Sequence, residues 1–355
     1  MPVVNEKRAR RRGSAAVAVL IAVALAAVGI YSFWDDWRAT PHTTSDFLMN
    51  TFVSQTVYGK NAQRAADEVV AALSGFEDDF SMYRENSPIA QINRSAGVAP
   101  VAVPEQVYQL IATAYDYCAQ TDGLFDVTTG PLSVLWNVTG DTPHVPGQQE
   151  LSQALELVDY RDILLDPEAR TVMLRRPGQM IDLGAIAKGY ACRVAGEIYR
   201  LYQVGGAVLS VGGNIYTYGK KPGGGAYDIG LSTPEKDRQH TLGTLHADGM
   251  VVATSGGYER YFEEQGIRYH HIFDPRTGYP SQQDLLSVTV VAEDGALADF
   301  LSTYFFVAGS QAAIDCLDRS EFSLILVDSE KNVYISPALK DQFALTSSDY
   351  TLAAP

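Results

Sequence analysis

The sequence predicts an α+β fold with a mostly antiparallel sheet and flanking helices. Three observations carry this. Short β-branched and aromatic runs recur, and several are joined by hairpin turns such as Gly212-Gly213 and Asp166-Pro167. Apolar residues at helical spacing fall between these runs, interspersed with strands. The one strand-to-helix stretch with a glycine turn, IDLGAIAKG (181–189), has neither GxGxxG nor GxxxxGK[ST] order, which argues against a P-loop and a dinucleotide-binding fold.

In chain order, KRARRRG is followed by an uncharged apolar run from Ser14 to Trp34. About 20 residues at about 1.5 Å each suffice to cross a bilayer core. Residues 1–13 read as a basic cytoplasmic tail and 14–34 as a transmembrane anchor. A cleavable signal peptide is the rival, given Ala24-Leu25-Ala26, but the apolar run continues past it. Positive flanks stay inside, so the chain is expected in the cell membrane, single-pass, with the rest extracytoplasmic. Residues 35–46 read as a polar linker and 47–345 as one catalytic domain.

Phe52 to Tyr58 reads as a strand, and residues 61–80 as a helix with Ala65, Val69, Leu73, Phe76 and Phe80 on one face. MYRENSPIAQINRSAG (82–97) reads as a polar loop. Pro104 opens a second helix ending near Gly123. A short helix is expected near Leu151 to Val158, and a hairpin at ILLDPEARTVMLR. Met180 to Gly206 reads as strand, Gly-Ala turn and helix, with Ala187, Ala191, Val194, Ile198 and Leu201 inward and Gly205 ending the helix. Strands follow in AVLSVGGNIYTYG and at Tyr227 to Leu231. Arg268 to Phe273 reads as a strand running into a turn, Ser287 to Gly309 as strand and helix, and strands near residues 325–336 close the chain.

The net charge of −15, carried against a basic amino terminus, excludes nucleic acid as a natural partner. Cys118, Cys192 and Cys316 have no paired spacing, so no zinc site, redox CxxC or disulfide framework is expected.

Several stretches carry chemistry. HHIFDPRTGYP (270–280) places two histidines before a turn rigidified by Pro275 and opened by Gly278. In ADFLST, Asp299 and Thr303 are four apart on a predicted helix and present a carboxylate and a hydroxyl on one face. Hard cations take such oxygens. IDLGAIAKG places Asp182 and Lys188 about a strand-to-helix junction, with free carbonyls near Ala185. In GLFDVTTGP, Asp126 and Thr128 can bond a ligand edge while Phe125 packs on rings. Met49 and Tyr83 offer a thioether and an aromatic face. Each of these, taken singly, has an ordinary structural reading as turn, helix start or core packing.

Together they resemble the ApbE family, whose members are FAD:protein FMN transferases. The matching stretches are MNTFVSQTVYG, MYRENSPIAQIN, DGLFDVTTGPLSVLW, IDLGAIAKGYA, LSVGGNIYTYG, ATSGGYERYF, HHIFDPRTGYP and ALADFLSTYFFVAG, in the family's order. The resemblance implies a T-fold-like catalytic domain that uses Mg2+ to split FAD. A Thr or Ser hydroxyl of an acceptor flavoprotein attacks the FMN-side phosphorus and AMP leaves. It further implies FAD contacts from Met49, Tyr83, Leu124, Phe125, Asp126, Asp182, Lys188, His271 and Ile272, and metal binding by the Ala185 carbonyl, Asp299 and Thr303. His271 is then the expected proton-transfer group, and Rnf- or Nqr-type flavoprotein subunits or other secreted flavoproteins are the expected acceptors. Hydrolysis of FAD to FMN and AMP, or non-catalytic flavin carriage, are the competing activities. The chain departs from the family at Asn50, Leu124 and Tyr227, where glycine, alanine and tryptophan are frequent.

Overall fold

In the computed structural model of the chain, residues 22–29, 41–235 and 240–354 are described. Residues 22–29 are helical and exposed. The rest of the expected 14–34 anchor lies outside the described residues, and among those described no helix is long and apolar enough to cross a membrane.

The elements run β1 (Pro41–Leu48), β2 (Thr51–Tyr58), α1 (Ala62–Phe80), α2 (Pro88–Arg94), β3 (Val101–Ala102), α3 (Glu105–Gln120), α4 (Gly130–Trp136) and α5 (Gln148–Leu155). Then come β4 (Ile163–Asp166), β5 (Thr171–Leu174), α6 (Ala187–Leu201), β6 (Gly206–Val211), β7 (Asn214–Gly219), β8 (Tyr227–Ser232), β9 (Thr241–Ala247) and β10 (Val251–Gly256). The remainder is β11 (Tyr261–Glu264), β12 (Ile267–His270), β13 (Leu285–Ala292), α7 (Gly295–Ala308), α8 (Ser310–Ile314), β14 (Ser323–Asp328), β15 (Asn332–Ile335), β16 (Phe343–Leu345) and β17 (Thr351–Leu352).

A nine-stranded sheet, ordered β1-β2-β6-β7-β10-β13-β14-β15-β17, organises the fold. Its pairs are antiparallel except β15 with β17, as hairpin-linked strands require. Alternation along each strand splits the core into two layers. Val288 and Val290 of β13 join the helical layer of α1, α6 and α7, whereas Val291 joins a second layer under the small β16-β9-β8 sheet. A third cluster gathers Leu132, Trp136, Leu151 and Phe273 beneath the histidine turn.

Four expectations are corrected. The supposed linker through residue 46 is strand β1 from Pro41, paired along its whole length with β2. Met49 and Asn50 join the two strands with φ of 54° and 55°, the geometry of a type I′ hairpin turn. The polar loop 82–97 contains α2: Pro88 sits in its first turn, and the Ser87 hydroxyl caps the Ala90 N–H. The strand expected before α6 is reduced to one bridge, Met180 with Thr129. The strand expected from Arg268 to Phe273 stops at His270, because Ile272 and Phe273 bond instead across the following turn.

Helix α6 differs in two respects. Its left-handed terminal residue is Gln203, not Gly205: Val204 N–H bonds Tyr199 O and Gln203 N–H bonds Arg200 O, a Schellman ending. Its buried face only partly follows the expected stripe: Ala187 and Ala191 are buried, while Val194 and Ile198 are half-buried. Gly189, Cys192, Ala195, Gly196 and Tyr199 face inward, while Leu201 is exposed. Small residues face in because α6 crosses α7 closely: a Cβ on Gly189 would overlap the carbonyl of Gly295, and one on Gly295 would overlap that of Gly189. Overpacking of this kind ordinarily costs about 1–3 kcal/mol, more where backbone opposes backbone. Gly189→Ala is therefore expected to lower the unfolding free energy by about 3 kcal/mol or to prevent folding; a wild-type urea midpoint contradicts the crossing.

Candidate active site

A cleft of about 820 Å3, counting its open mouth, lies between the 124–129 segment, the turn before α6, the end of β10, the histidine turn and α7. Of the residues expected from sequence, Leu124, Phe125, Asp126, Asp182, Ala185, Lys188, His271, Ile272 and Thr303 line it. Asp299 sits directly behind Lys188. Met49 and Tyr83 stand outside the lining.

The α6–α7 crossing sets the anionic end. Asp299 is 2% exposed. Its Oδ2 accepts the Gly189 N–H at 2.9 Å, and its Oδ1 lies 3.3 Å from Lys188 Nζ, which also donates to Gly184 O at 3.1 Å. One turn on, Thr303 Oγ1 lies 3.3 Å from Ser255 Oγ, itself 2.8 Å from Ser302 Oγ. Ala185 lines the same wall. Among the described residues no group of three or more His, Cys, Asp or Glu is placed to hold a metal. The side-chain oxygens gathered here are the Asp299 carboxylate and the Thr303 hydroxyl. Oxygen donors of this kind suit a hard divalent cation.

The histidine turn supplies the opposite wall. Asp274 shapes it: its N–H bonds Tyr279 O, its own carbonyl accepts from Thr277 and Gly278, and its carboxylate holds Arg276. Gly278 has φ 73° and its carbonyl accepts Trp136 Nε1 at 2.9 Å, locking the turn to the third cluster. Neither Asp274 nor Arg276 is left free for chemistry. The two histidines part company. His270 is buried, with Nε2 2.8 Å from Ser281 O, Nδ1 accepting the Ile272 N–H and its ring edge-on to Phe306. Burial pulls its pKa down to about 4. His271 faces the cleft. Its backbone N–H and Nδ1 both bond Arg260 O, at 3.1 and 3.2 Å. A carbonyl only accepts, so Nδ1 carries the proton and Nε2 keeps a lone pair. Burial, reinforced by the Arg260 and Lys188 cations and by the neighbouring His270, holds its pKa down to about 3, so the ring is neutral at physiological pH.

The acidic side chains of the other wall bond both within their own loops and across to neighbouring segments. Asp126 Oδ1 accepts from the Thr128 N–H and hydroxyl, and Oδ2 from the Tyr160 N–H; burial raises its pKa despite these bonds. The Asp182 carboxylate accepts from Gly184 N–H at 2.9 Å and Ser133 Oγ at 2.9 Å. Phe125 is buried edge-on against Phe300, so it packs on a protein ring. Met49 occupies the β1–β2 turn, and Tyr83, 70% exposed, lies within electrostatic reach of Asp182 and Arg260. Sequence reading did not single out Ser133, Thr254, Ser255 or Glu259, which also line the cleft. The ATSGGYERYF stretch was the available signal for three of them, but nothing in its spacing marks which side chains turn inward.

A family model described as the ApbE family matches residues 49–326. The FAD:protein FMN transferase of Klebsiella pneumoniae (strain 342) is 34% identical over 310 residues, covering 87% of this chain and 96% of that protein. The FAD:protein FMN transferase of Treponema pallidum (strain Nichols) is 30% identical over 335 residues, covering 89% and 92%. The crystal structure of the ApbE protein of Thermotoga maritima superposes with a TM-score of 0.80 at 34% identity, covering 85% of this chain and 99% of that one.

The buried His270 has a consequence for stability. Its folded pKa of about 4 lies below the unfolded value of about 6.5. Between those values the unfolded chain binds the proton and the folded one does not. Its contribution is present above pH 6.5 and lost as pH falls, by at most about 1.4 kcal/mol per pH unit. Urea midpoints of wild type and His270→Phe are expected to converge on acidification from pH 7 to 5; a constant difference contradicts a neutral buried imidazole.

Proposed function

The chain belongs to the ApbE family, and on that premise we propose that it is an FAD:protein FMN transferase acting on an acceptor flavoprotein. A Thr or Ser hydroxyl of the acceptor attacks the FMN-side phosphorus of FAD. The bond from that phosphorus to the bridging oxygen breaks, AMP leaves with that oxygen, and FMN remains in phosphoester linkage. The observation that carries the reading is the convergence of a neutral, oriented imidazole, an ammonium and an oxygen-only cation set on one cleft.

Phosphoryl-type transfer asks chiefly for positioning and charge neutralisation. Lys188 supplies a cation at the cleft wall, already poised between Asp299 and the Gly184 carbonyl. His271 Nε2 takes the proton of the attacking hydroxyl, while the Nδ1 bond to Arg260 O holds the ring at the required tautomer. Ala185 O, Asp299 and Thr303 would hold a Mg2+ ion, which when bound neutralises phosphate charge. Met49, Tyr83, Leu124, Phe125, Asp182 and Ile272 contact FAD in this reading. Asp126 lines the same cleft, contacts FAD in this reading and braces the 124–129 segment against Tyr160.

The apolar run 14–34 with its basic flank supports a single membrane anchor and an extracytoplasmic site. The acceptors would then be flavoprotein subunits of Rnf- or Nqr-type complexes or other extracytoplasmic flavoproteins.

Incubation of the protein with FAD, Mg2+ and such an acceptor is expected to raise the acceptor mass by one FMN and release AMP. Steady FMN and AMP release with no acceptor mass gain would assign hydrolysis instead. Asp299→Ala is expected to reduce transfer to background. His271→Ala should lower kcat by about 100-fold or more with little change in FAD affinity; equal losses in both would make it a binding residue.

A further inference from the structure

Arg260 lies in the loop between β10 and β11 and joins the histidine turn to the β1–β2 turn. Its carbonyl oxygen takes both the backbone N–H and Nδ1 of His271. Its guanidinium Nη2 donates to Asn50 O at 3.1 Å, 210 residues away in the chain. Asn50 is the second of the two left-handed residues that turn β1 into β2, and Glu77 Oε1 on α1 accepts its N–H at 3.1 Å. Neither Met49 nor Asn50 is glycine, so each left-handed position costs about 1 kcal/mol or more unless its surroundings fix it. Glu77 holds the turn from one side and Arg260 from the other. Glu77 is in turn paired with Arg84, next to Tyr83.

We propose that Arg260 is a positioning residue, whose side chain ties the Met49–Asn50 turn to the segment whose carbonyl orients His271. The flavin-side turn and the proton-transfer group are thereby kept in one register. The role of that register rests on the transferase reading; the linkage itself does not. Besides burial, the Arg260 guanidinium, His270 and Lys188 bear on the His271 ring. Only Arg260 both faces the ring and fixes the carbonyl it bonds.

The test has two arms. In the first, [15N]histidine NMR of the full chain without substrate reads the ring directly, independently of any turnover. The expected result is an Nδ1–H tautomer for His271 that persists below pH 5; an Nε2–H tautomer overturns the linkage even if transferase activity is confirmed. In the second, Arg260→Gln is expected to lower kcat about tenfold or more and to move the acid limb of kcat/KM upward by about one pH unit, because a cation beside the base is lost. Arg260→Lys should recover the low limb and most of kcat. A Gln variant with an unmoved limb and unchanged kcat overturns the proposal, whatever its melting temperature. If that variant does not fold, the NMR arm on wild type decides.

Discussion

Two glycines facing each other across a helix crossing set the terms for the whole site. Gly189 on α6 and Gly295 at the start of α7 let two backbones meet where any side chain would overlap a carbonyl. That closeness is what allows the Gly189 N–H to reach Asp299 from the neighbouring helix. Removing a carboxylate from water without partners costs several kcal/mol, so a 2% exposed Asp299 requires both this N–H and the Lys188 ammonium. Lys188 itself is about a quarter exposed and reaches the cleft, so the pair joins a buried anchor to an accessible cation. The oxygens that could receive a metal ion lie along the same crossing, from Ala185 before α6 to Thr303 one turn beyond Asp299.

The opposite wall depends on a different device, the alternation of side chains along an extended chain. His270 and His271 are neighbours, yet one points into the core toward Phe306 and Ser281 and the other into the cleft. The first is satisfied at both nitrogens and serves packing. The second has one nitrogen committed to Arg260 and one open. The Asp274–Arg276 pair, Gly278 and Trp136 then fix the turn against the third hydrophobic cluster. The turn's charged residues thus hold its shape and leave the chemistry to one imidazole.

Much of this was legible in the residues. The four-residue spacing of Asp299 and Thr303, the DPRTG turn, and most strands and helices follow from period and turn chemistry. What escaped had physical causes. Strand β1 is a polar stretch whose pairing with β2 is decided across a turn of Met and Asn rather than Gly. Helix α2 hides behind a proline that opens it. The inward face of α6 is made of small residues, whose weak hydropathy yields to the larger Val194, Ile198 and Leu201 when periodicity alone is read. Asp126 lines the cleft as its polar stretch suggested, but its bond to the Tyr160 N–H, 34 residues on, follows only from the chain path. Ser133 and Glu259 lie in stretches the sequence does flag, but tertiary placement decides that they reach the cleft.

The proposed transferase requires a cation clamp at the α6–α7 crossing, set against the phosphates of FAD and facing His271. Crystals of the protein with FAD and Mn2+ in place of Mg2+ test it, because the metal's anomalous signal locates it without assumption. One peak is expected within bonding distance of Ala185 O, Asp299 and Thr303 Oγ1, with the FAD diphosphate between it and Lys188. A flavin bound in the cleft with the metal elsewhere, or with Asp299 still paired only to Lys188 and Gly189, would contradict it.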